Sequence, residues 1–146
     1  MAILDFLDNY ERSDLKDFWK INDHKIPTSP GVYILIARGD SHFDYPLRRS
    51  PIYYIGQSNN LRYRLREHLK YATQARDDRR EPLYWPRYEF AASYAGRYCF
   101  VRTRQGLTSR ALEEEVLARF AKKHRCFPIA NGSGSWNRVG KVIGWV

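Results

Sequence analysis

The sequence predicts a small α+β domain, and three observations carry that prediction. Residues 31–37 and 52–56 are short runs rich in β-branched and aromatic side chains, which predict two strands. The long polar connection between these runs favours an antiparallel pair. Leu61, Leu65 and Leu69 then recur every four positions, which predicts the buried face of an amphipathic helix.

The remaining elements follow from capping residues, breakers and composition, in the order strand, strand, helix, strands, helix. Ser58, Asn59 and Asn60 offer capping oxygens to the first long helix. Residues 71–82 are charged and flanked by breakers, which predicts a solvated loop. The other predicted elements are a short helix around Asp14–Trp19, strands over Tyr88–Tyr94 and Arg97–Thr103, a helix over Ser109–His124 capped by Thr108, and a last strand over 139–146.

Length and charge limit the possible functions. With 146 residues, the chain is expected to form one domain over residues 28–131, with an N-terminal lead-in over 1–27 and a C-terminal extension over 132–146. Lys and Arg number 25 against 16 Asp and Glu, which leaves a formal charge of +9. An excess of this size favours a polyanionic partner, and nucleic acid is the first candidate.

The sequence predicts a cytoplasmic protein without a membrane span. Its longest apolar run, residues 31–37, is far shorter than the roughly 20 residues that cross a bilayer. Asp5 and Asp8 interrupt the N-terminal apolar stretch, so no signal peptide is expected. Cys99 and Cys126 lack a metal-binding spacing and suit a reducing compartment, and the four scattered histidines disfavour a zinc site.

Glu113 is the most informative single residue. On a helical wheel at about 100° per residue, it lies inside the apolar arc that runs from Leu112 to Leu117. Glu114 and Glu115 face away from that arc and are most simply a solvated face. Because a buried carboxylate must be compensated, Glu113 is expected either to pair with an arginine or to hold a divalent cation such as Mg²⁺.

The first long helix and several aromatic residues admit two interpretations each. The helix carries a basic series suited to phosphate contacts, made of Arg62, Arg64, Arg66, His68 and Lys70. Arg64 and His68 are four positions apart and share a face, although a lone surface histidine is the simpler interpretation of His68. Strand tyrosines such as Tyr33 and Tyr54 are most often core residues. Four further aromatic side chains could stack on bases or cover the sheet, namely Tyr84, Trp85, Tyr88 and Tyr94.

Five motifs follow one another along the chain: Gly31-Val32-Tyr33, Tyr54-Ile55-Gly56, the run from Asn60 to His68, Leu112-Glu113-x-x-Val116-Leu117, and Pro128-x-x-Asn131. Their order resembles the GIY-YIG nuclease superfamily, and the match covers roughly residues 31 to 131. Its most specific part is the block from Tyr54 to Arg64. The resemblance implies a small central, mainly antiparallel β-sheet flanked by α-helices. It also implies a metal-dependent endonuclease, a hydrolase that cuts phosphodiester bonds with one Mg²⁺ or Mn²⁺ ion, in DNA more than in RNA.

The resemblance also assigns roles to individual residues. Tyr33 and Tyr54 become the paired active-site tyrosines, and Glu113 becomes the sole protein ligand of the metal. Arg64 contacts the scissile phosphate, and His68 corresponds to a histidine that some members use. Asn131 closes the site, with Asn137 as its rival. The nucleic-acid-binding residues are then Gly56, Gln57, Arg62, Arg66 and Lys70.

Three features differ from the family pattern. Residues 34–53 separate the two tripeptides and imply a loop insertion. Gln57 stands where several members have lysine, and the segment between Glu113 and Asn131 is longer than in compact members.

The alternative function is a non-catalytic nucleic-acid-binding module that uses the same basic surface. The chain is also a candidate homodimer or part of a larger parent protein.

Overall fold

The computed structural model describes residues 3–22, 24–78, 85–132, 139–141 and 143–144. Its regular elements are β1 (Lys16–Asp17), β2 (Gly31–Ala37), β3 (Phe43–Asp44), β4 (Arg49–Ser50), β5 (Ile52–Ser58), α1 (Leu61–Asp77), α2 (Pro86–Tyr94), β6 (Ala95–Arg102) and α3 (Ser109–His124), with short 3₁₀ turns at Asp5–Leu7 and Phe18–Lys20. Strands β1, β6, β2 and β5 form one antiparallel sheet in that order, and β3 pairs with β4. The predicted α+β class with a mainly antiparallel sheet is confirmed.

Strand β2 lies at the centre and separates two apolar cores. Its side chains alternate between the two faces of the sheet, as strand geometry requires. Val32 and Ile34 pack with residues of α3 on one face, whereas Tyr33 and Leu35 pack with residues of α1 and α2 on the other. All seven residues of β2 are buried. The sheet is therefore covered on both faces, by α1 and α2 on one face and by α3 on the other.

Helix α1 is longer than the sequence predicted. Its N-cap is Asn60, whose side chain accepts a hydrogen bond from the Tyr63 backbone. The leucine stripe continues through buried Ala72 and Ala75, so the helix runs to Asp77. The prediction of a solvated loop from residue 71 is therefore wrong up to 77, and residues 79–84 lie outside the described part of the chain.

Helix α2 replaces a predicted strand. Tyr88–Tyr94 was expected to be extended because it is rich in aromatic residues, but it forms a helix. Pro86 lies in the first turn, where its missing N–H costs no hydrogen bond. Tyr88 and Ala91 are buried at a spacing of three, which is a helical spacing. The strand predicted next to it is confirmed within β6, and so is helix α3 with Thr108 as its cap.

The two chain ends differ from expectation. The short helix predicted around residues 14–19 is instead β1 followed by the 3₁₀ turn at Phe18–Lys20. Residues 139–141 of the predicted last strand are helical, while 142, 145 and 146 lie outside the described residues. The lead-in contributes buried side chains to both cores, among them Phe6 and Phe18. Among the described residues, no helix has the length and apolar character to cross a bilayer.

The insertion between β2 and β5 is an ordered connection. Tyr45 is buried there, and its hydroxyl donates a hydrogen bond to the Ile52 carbonyl and accepts one from the Ile129 backbone. Arg48 forms a two-armed ion pair with Asp5, which also contacts Lys123 of α3. These contacts attach the insertion to the lead-in and to the C-terminal turn of α3. The segment that joins β2, which carries Tyr33, to β5, which carries Tyr54, is therefore held in place despite its length.

Candidate active site

The site centres on Tyr33 and His68, which meet in the core between β2 and α1. Tyr33 is 1% exposed and His68 is fully buried. The Tyr33 hydroxyl lies 2.7 Å from Nε2 of His68, while Nδ1 has no hydrogen-bond partner among the described residues. Burial lowers the pKa of His68 well below its usual value, and the charges of Arg64 and Arg87 lower it further. The imidazole is therefore neutral at physiological pH.

Gly56 allows two phenol rings to lie side by side. It faces Tyr33 in the register of β2 and β5. A Cβ at position 56 would lie 2.4 Å from the Tyr33 hydroxyl oxygen and 2.8 Å from Cε2 of Tyr54. The Tyr33 and Tyr54 ring centroids are 6.1 Å apart, and the ring of His68 is within 5.6 Å of both. The observed role of Gly56 is thus to make room for Tyr33, and its contact with nucleic acid stays a prediction.

Arg64 reaches the same region from α1. Its Nη1 donates a hydrogen bond to the Tyr88 hydroxyl at 3.0 Å and contacts the Glu67 carboxylate one turn later in the helix. The side chain is 18% exposed, so the guanidinium stands at the boundary between the buried phenols and solvent. This is a position from which an arginine can contact a bound phosphate with its planar, permanently charged fork.

Helix α2 supplies two residues that sequence reasoning did not assign to the site. The Tyr88 ring lies 5.3 Å from that of His68. The guanidinium of Arg87 lies 5.1 Å from the Tyr88 ring and 5.3 Å from the ring of Trp85. Tyr88 was expected either to stack on bases or to cover the sheet, and Arg87 was not singled out. The available signal was Pro86 ahead of the Tyr88–Ala91 spacing, which predicts a helix but not the element on which it packs.

Charges of both signs converge on Tyr54. Burial raises the pKa of Tyr54, Arg87 and then Arg64 lower it, and Glu113 raises it. The pKa of Tyr33 is also raised well above its usual value, mainly by burial. Both phenols are therefore protonated at neutral pH. The effect of Glu113 on the pKa of Tyr54 indicates that the two side chains are within electrostatic range of each other.

Glu113 is buried at 8% exposure on α3, as its place on the helical wheel predicted. Glu114 is half-buried and Glu115 is exposed. The described residues hold no group of three or more histidine, cysteine or acidic side chains that could cage a metal. Mg²⁺ commonly binds instead through one or two carboxylates together with water and substrate phosphate oxygens. A single inward carboxylate such as that of Glu113 fits that mode.

Asn131 contacts the backbone of β5 on both sides of Ile55. Its Oδ1 accepts a hydrogen bond from the Ile55 N–H at 3.0 Å, and its Nδ2 donates one to the Ile55 carbonyl at 2.8 Å. The Ala130 N–H donates to the Tyr53 carbonyl at 2.8 Å. Asn131 therefore fixes the strand that carries Tyr54 and Gly56. Its rival, Asn137, lies outside the described residues.

The other predicted nucleic-acid contacts are dispersed. Gln57 accepts a hydrogen bond from Ser109 at 2.7 Å, which ties β5 to the start of α3. Arg62 donates to the carbonyls of Ile26 and His24, each at 2.7 Å, and so anchors the lead-in. Arg66 is half-buried, and Lys70 is exposed, with Nζ 5.5 Å from the Tyr71 ring. The structure thus brings Tyr33, Tyr54, Arg64 and His68 into contact, whereas this second set is spread out, and Glu113 is linked to the first set only by its effect on the Tyr54 pKa.

Comparisons of the chain with protein-family models, with curated proteins and with solved structures found no match. The functional assignment therefore depends on the geometry of the site and on the motifs.

Proposed function

We propose that the protein is a metal-dependent endonuclease of the GIY-YIG type, which hydrolyses phosphodiester bonds, in DNA more than in RNA. One observation carries the proposal. Two phenols and an imidazole are in ring contact, a guanidinium lies beside them, and a buried carboxylate of α3 raises the pKa of one of the phenols. They are contributed by Tyr33, Tyr54, Arg64, His68 and Glu113. The formal charge of +9 supports a polyanionic substrate.

In the proposed reaction, water attacks phosphorus, the bond from phosphorus to the 3′-oxygen breaks, and the released 3′-oxygen takes a proton from solvent, which leaves a 5′-phosphate and a 3′-hydroxyl. Tyr54 accepts the proton of the attacking water, and Tyr33 orients Tyr54 from its hydrogen-bonded position on His68. A phenol with its ordinary pKa near 10 must overcome about 4 kcal/mol to lose its proton at pH 7. The positive charges of Arg64 and Arg87 oppose the effect of burial and favour the phenolate.

Arg64 stabilises the negative charge that develops on the phosphate oxygens in the transition state. Glu113 is the residue that would hold Mg²⁺ or Mn²⁺, and the bound ion supplies positive charge at the leaving 3′-oxygen. The proposal includes a cytoplasmic location, which agrees with the free thiols of Cys99 and Cys126. It also includes that the chain forms a homodimer or is part of a larger parent protein.

The second candidate is a nucleic-acid-binding module without turnover. It is favoured by the depth at which Tyr33 and His68 are buried, since both could act as ordinary core residues with a satisfied hydrogen bond. In that case the basic surface binds nucleic acid, and Glu113 has only a structural role.

Nicking of supercoiled plasmid in Mg²⁺ or Mn²⁺, with EDTA as the blank, separates the two candidates. Under the nuclease proposal, Glu113→Gln and Arg64→Gln each lower the nicking rate by about 100-fold or more and retain binding. Glu115→Gln, an exposed change on the same helix, is the matched control and cuts at the wild-type rate. Tight binding by a wild-type protein that never nicks supports the binding module. Wild-type nicking by both site variants shows that the site is misplaced.

A further inference from the structure

Arg87 of α2 lies beside the site, and its buried Nε, like that of Arg66 on α1, has no hydrogen-bond partner among the described residues. We infer that Arg87 is a second phosphate-binding residue, which contacts the substrate backbone together with Arg64. This inference rests on the proposed function because it concerns the same substrate. It extends the site to helix α2, which the motifs of the sequence do not include.

Position is the first support. Arg87 lies in the first turn of α2, directly before Tyr88, and the hydroxyl of Tyr88 accepts a hydrogen bond from Arg64. The guanidinium carbons of Arg64 and Arg87 lie 6.0 Å and 5.1 Å from the centroid of that one ring. Tyr88 therefore contacts both cations, and its own ring lies 5.3 Å from that of His68.

The bonding of Arg87 is the second support. Arg48, Arg62 and Arg64 each donate to a carboxylate or a carbonyl. Arg87 has only aromatic contacts within the described ranges, and its Nε is buried with no hydrogen-bond partner there. A buried donor on a cation is costly to leave unpaired, and a phosphate oxygen is a strong acceptor for it.

The electrostatics of the site are the third support. Gln57 is neutral and bonded to Ser109, so it supplies no positive charge. The charge of Arg87 acts on Tyr33, Tyr54 and His68, which places the guanidinium close to all three. Trp85 is 65% exposed, and its ring lies 5.3 Å from the guanidinium of Arg87.

The test is the salt dependence of DNA binding in EDTA, where cleavage cannot interfere. The affinity of the intact protein for a fluorescein-labelled duplex is measured from about 50 to 200 mM salt. Arg87→Gln is expected to weaken binding about 5- to 20-fold and to reduce the slope of log K against log salt by about one. Arg87→Lys keeps the charge, so its slope stays that of the wild type while its affinity falls less.

The matched control is Arg97→Gln, which makes the same change at an exposed position of β6, separated from β5 by β2. Its slope and affinity are expected to equal those of the wild type. The inference is overturned if Arg87→Gln behaves as Arg97→Gln does. If circular dichroism shows that Arg87→Gln is unfolded, Arg87→Met is used in its place, because its side chain keeps the aliphatic contact with the rings. The same criteria then apply to Arg87→Met.

Failure of this inference and failure of the proposed function have different signatures. If the wild type nicks plasmid but Arg87→Gln changes neither slope nor affinity, the inference alone is wrong. If the slope depends on Arg87 but the wild type never nicks, Arg87 binds phosphate in a protein that is not a nuclease.

Discussion

The Tyr33 hydroxyl is the only hydrogen-bond partner that the described residues offer to the buried imidazole of His68. Tyr53, the neighbouring buried tyrosine on β5, has a hydroxyl with no partner in the same part of the chain. The two residues therefore form a matched pair for one substitution.

We expect Tyr33→Phe to lower the free energy of unfolding by about 1–3 kcal/mol, because it leaves a buried imidazole nitrogen unpaired. Tyr53→Phe removes a buried hydroxyl that has nothing to bond to, so it should be neutral or slightly stabilising. Urea denaturation of the two variants measures the difference. Equal costs at both positions would show that the bond to His68 contributes nothing to stability.

Gly56→Ala is expected to destabilise the fold by about 1–3 kcal/mol, because the new methyl group would overlap the ring of Tyr33. Gly132→Ala is the control, since a Cβ there meets nothing within 4 Å. In a double-mutant cycle, Tyr33→Val should recover part of the cost of Gly56→Ala because the smaller side chain vacates the space. Additive effects in that cycle would contradict the packing explanation.

The free energy of unfolding is expected to decrease as the pH is lowered below about 6.5. The unfolded chain takes up a proton on His68 there, whereas burial holds the pKa of the folded residue well below that value. Each such histidine lowers the free energy of unfolding by about 1 kcal/mol between pH 7.5 and pH 5.5, and His124, whose pKa is lowered chiefly by burial, acts in the same direction. Urea midpoints at the two pH values measure the loss. The loss of unfolding free energy between pH 7.5 and pH 5.5 should be smaller in His68→Gln, and it should be unchanged in His42→Gln, a control at an exposed position.

Asn131→Ala is expected to cost about 1–3 kcal/mol, because it removes both side-chain hydrogen bonds to the Ile55 backbone. Asn22→Ala, at an exposed position, serves as the control and should leave thermal stability unchanged. Asn131→Asp should also be destabilising, since a carboxylate cannot donate to the Ile55 carbonyl. A stable, correctly folded Asn131→Ala protein would mean that the two hydrogen bonds of Asn131 to β5 are dispensable for stability.

The strongest sequence predictions concerned segments where pattern and environment agree. Residues 31–37 form a strand buried on both faces, and such a strand has an unbroken apolar sequence. Helix α3 has a capping threonine and a clear apolar arc, so both its limits and the burial of Glu113 could be predicted. The role of Glu113 as a metal ligand stays a prediction.

The sequence was less informative where small or polar residues occupy buried positions. Ala72 and Ala75 line the buried side of α1 after the leucines end, and the charged residues beside them hide that stripe. His68 was expected at the surface, but Tyr33 provides the hydrogen bond that permits its burial. Arg87 escaped notice because its importance depends on α2 packing against α1, a tertiary contact that no local spacing encodes.

The hydrogen bonds that Ala130 and Asn131 form with the backbone of β5 have a consequence for self-association. Strand β5 is an outer strand of the sheet, and outer strands commonly recruit a second chain through their free backbone groups. Here the carbonyl of Tyr53 and both backbone groups of Ile55 are already engaged within the chain. These three groups are therefore not available to a second copy, which disfavours sheet pairing through this part of β5.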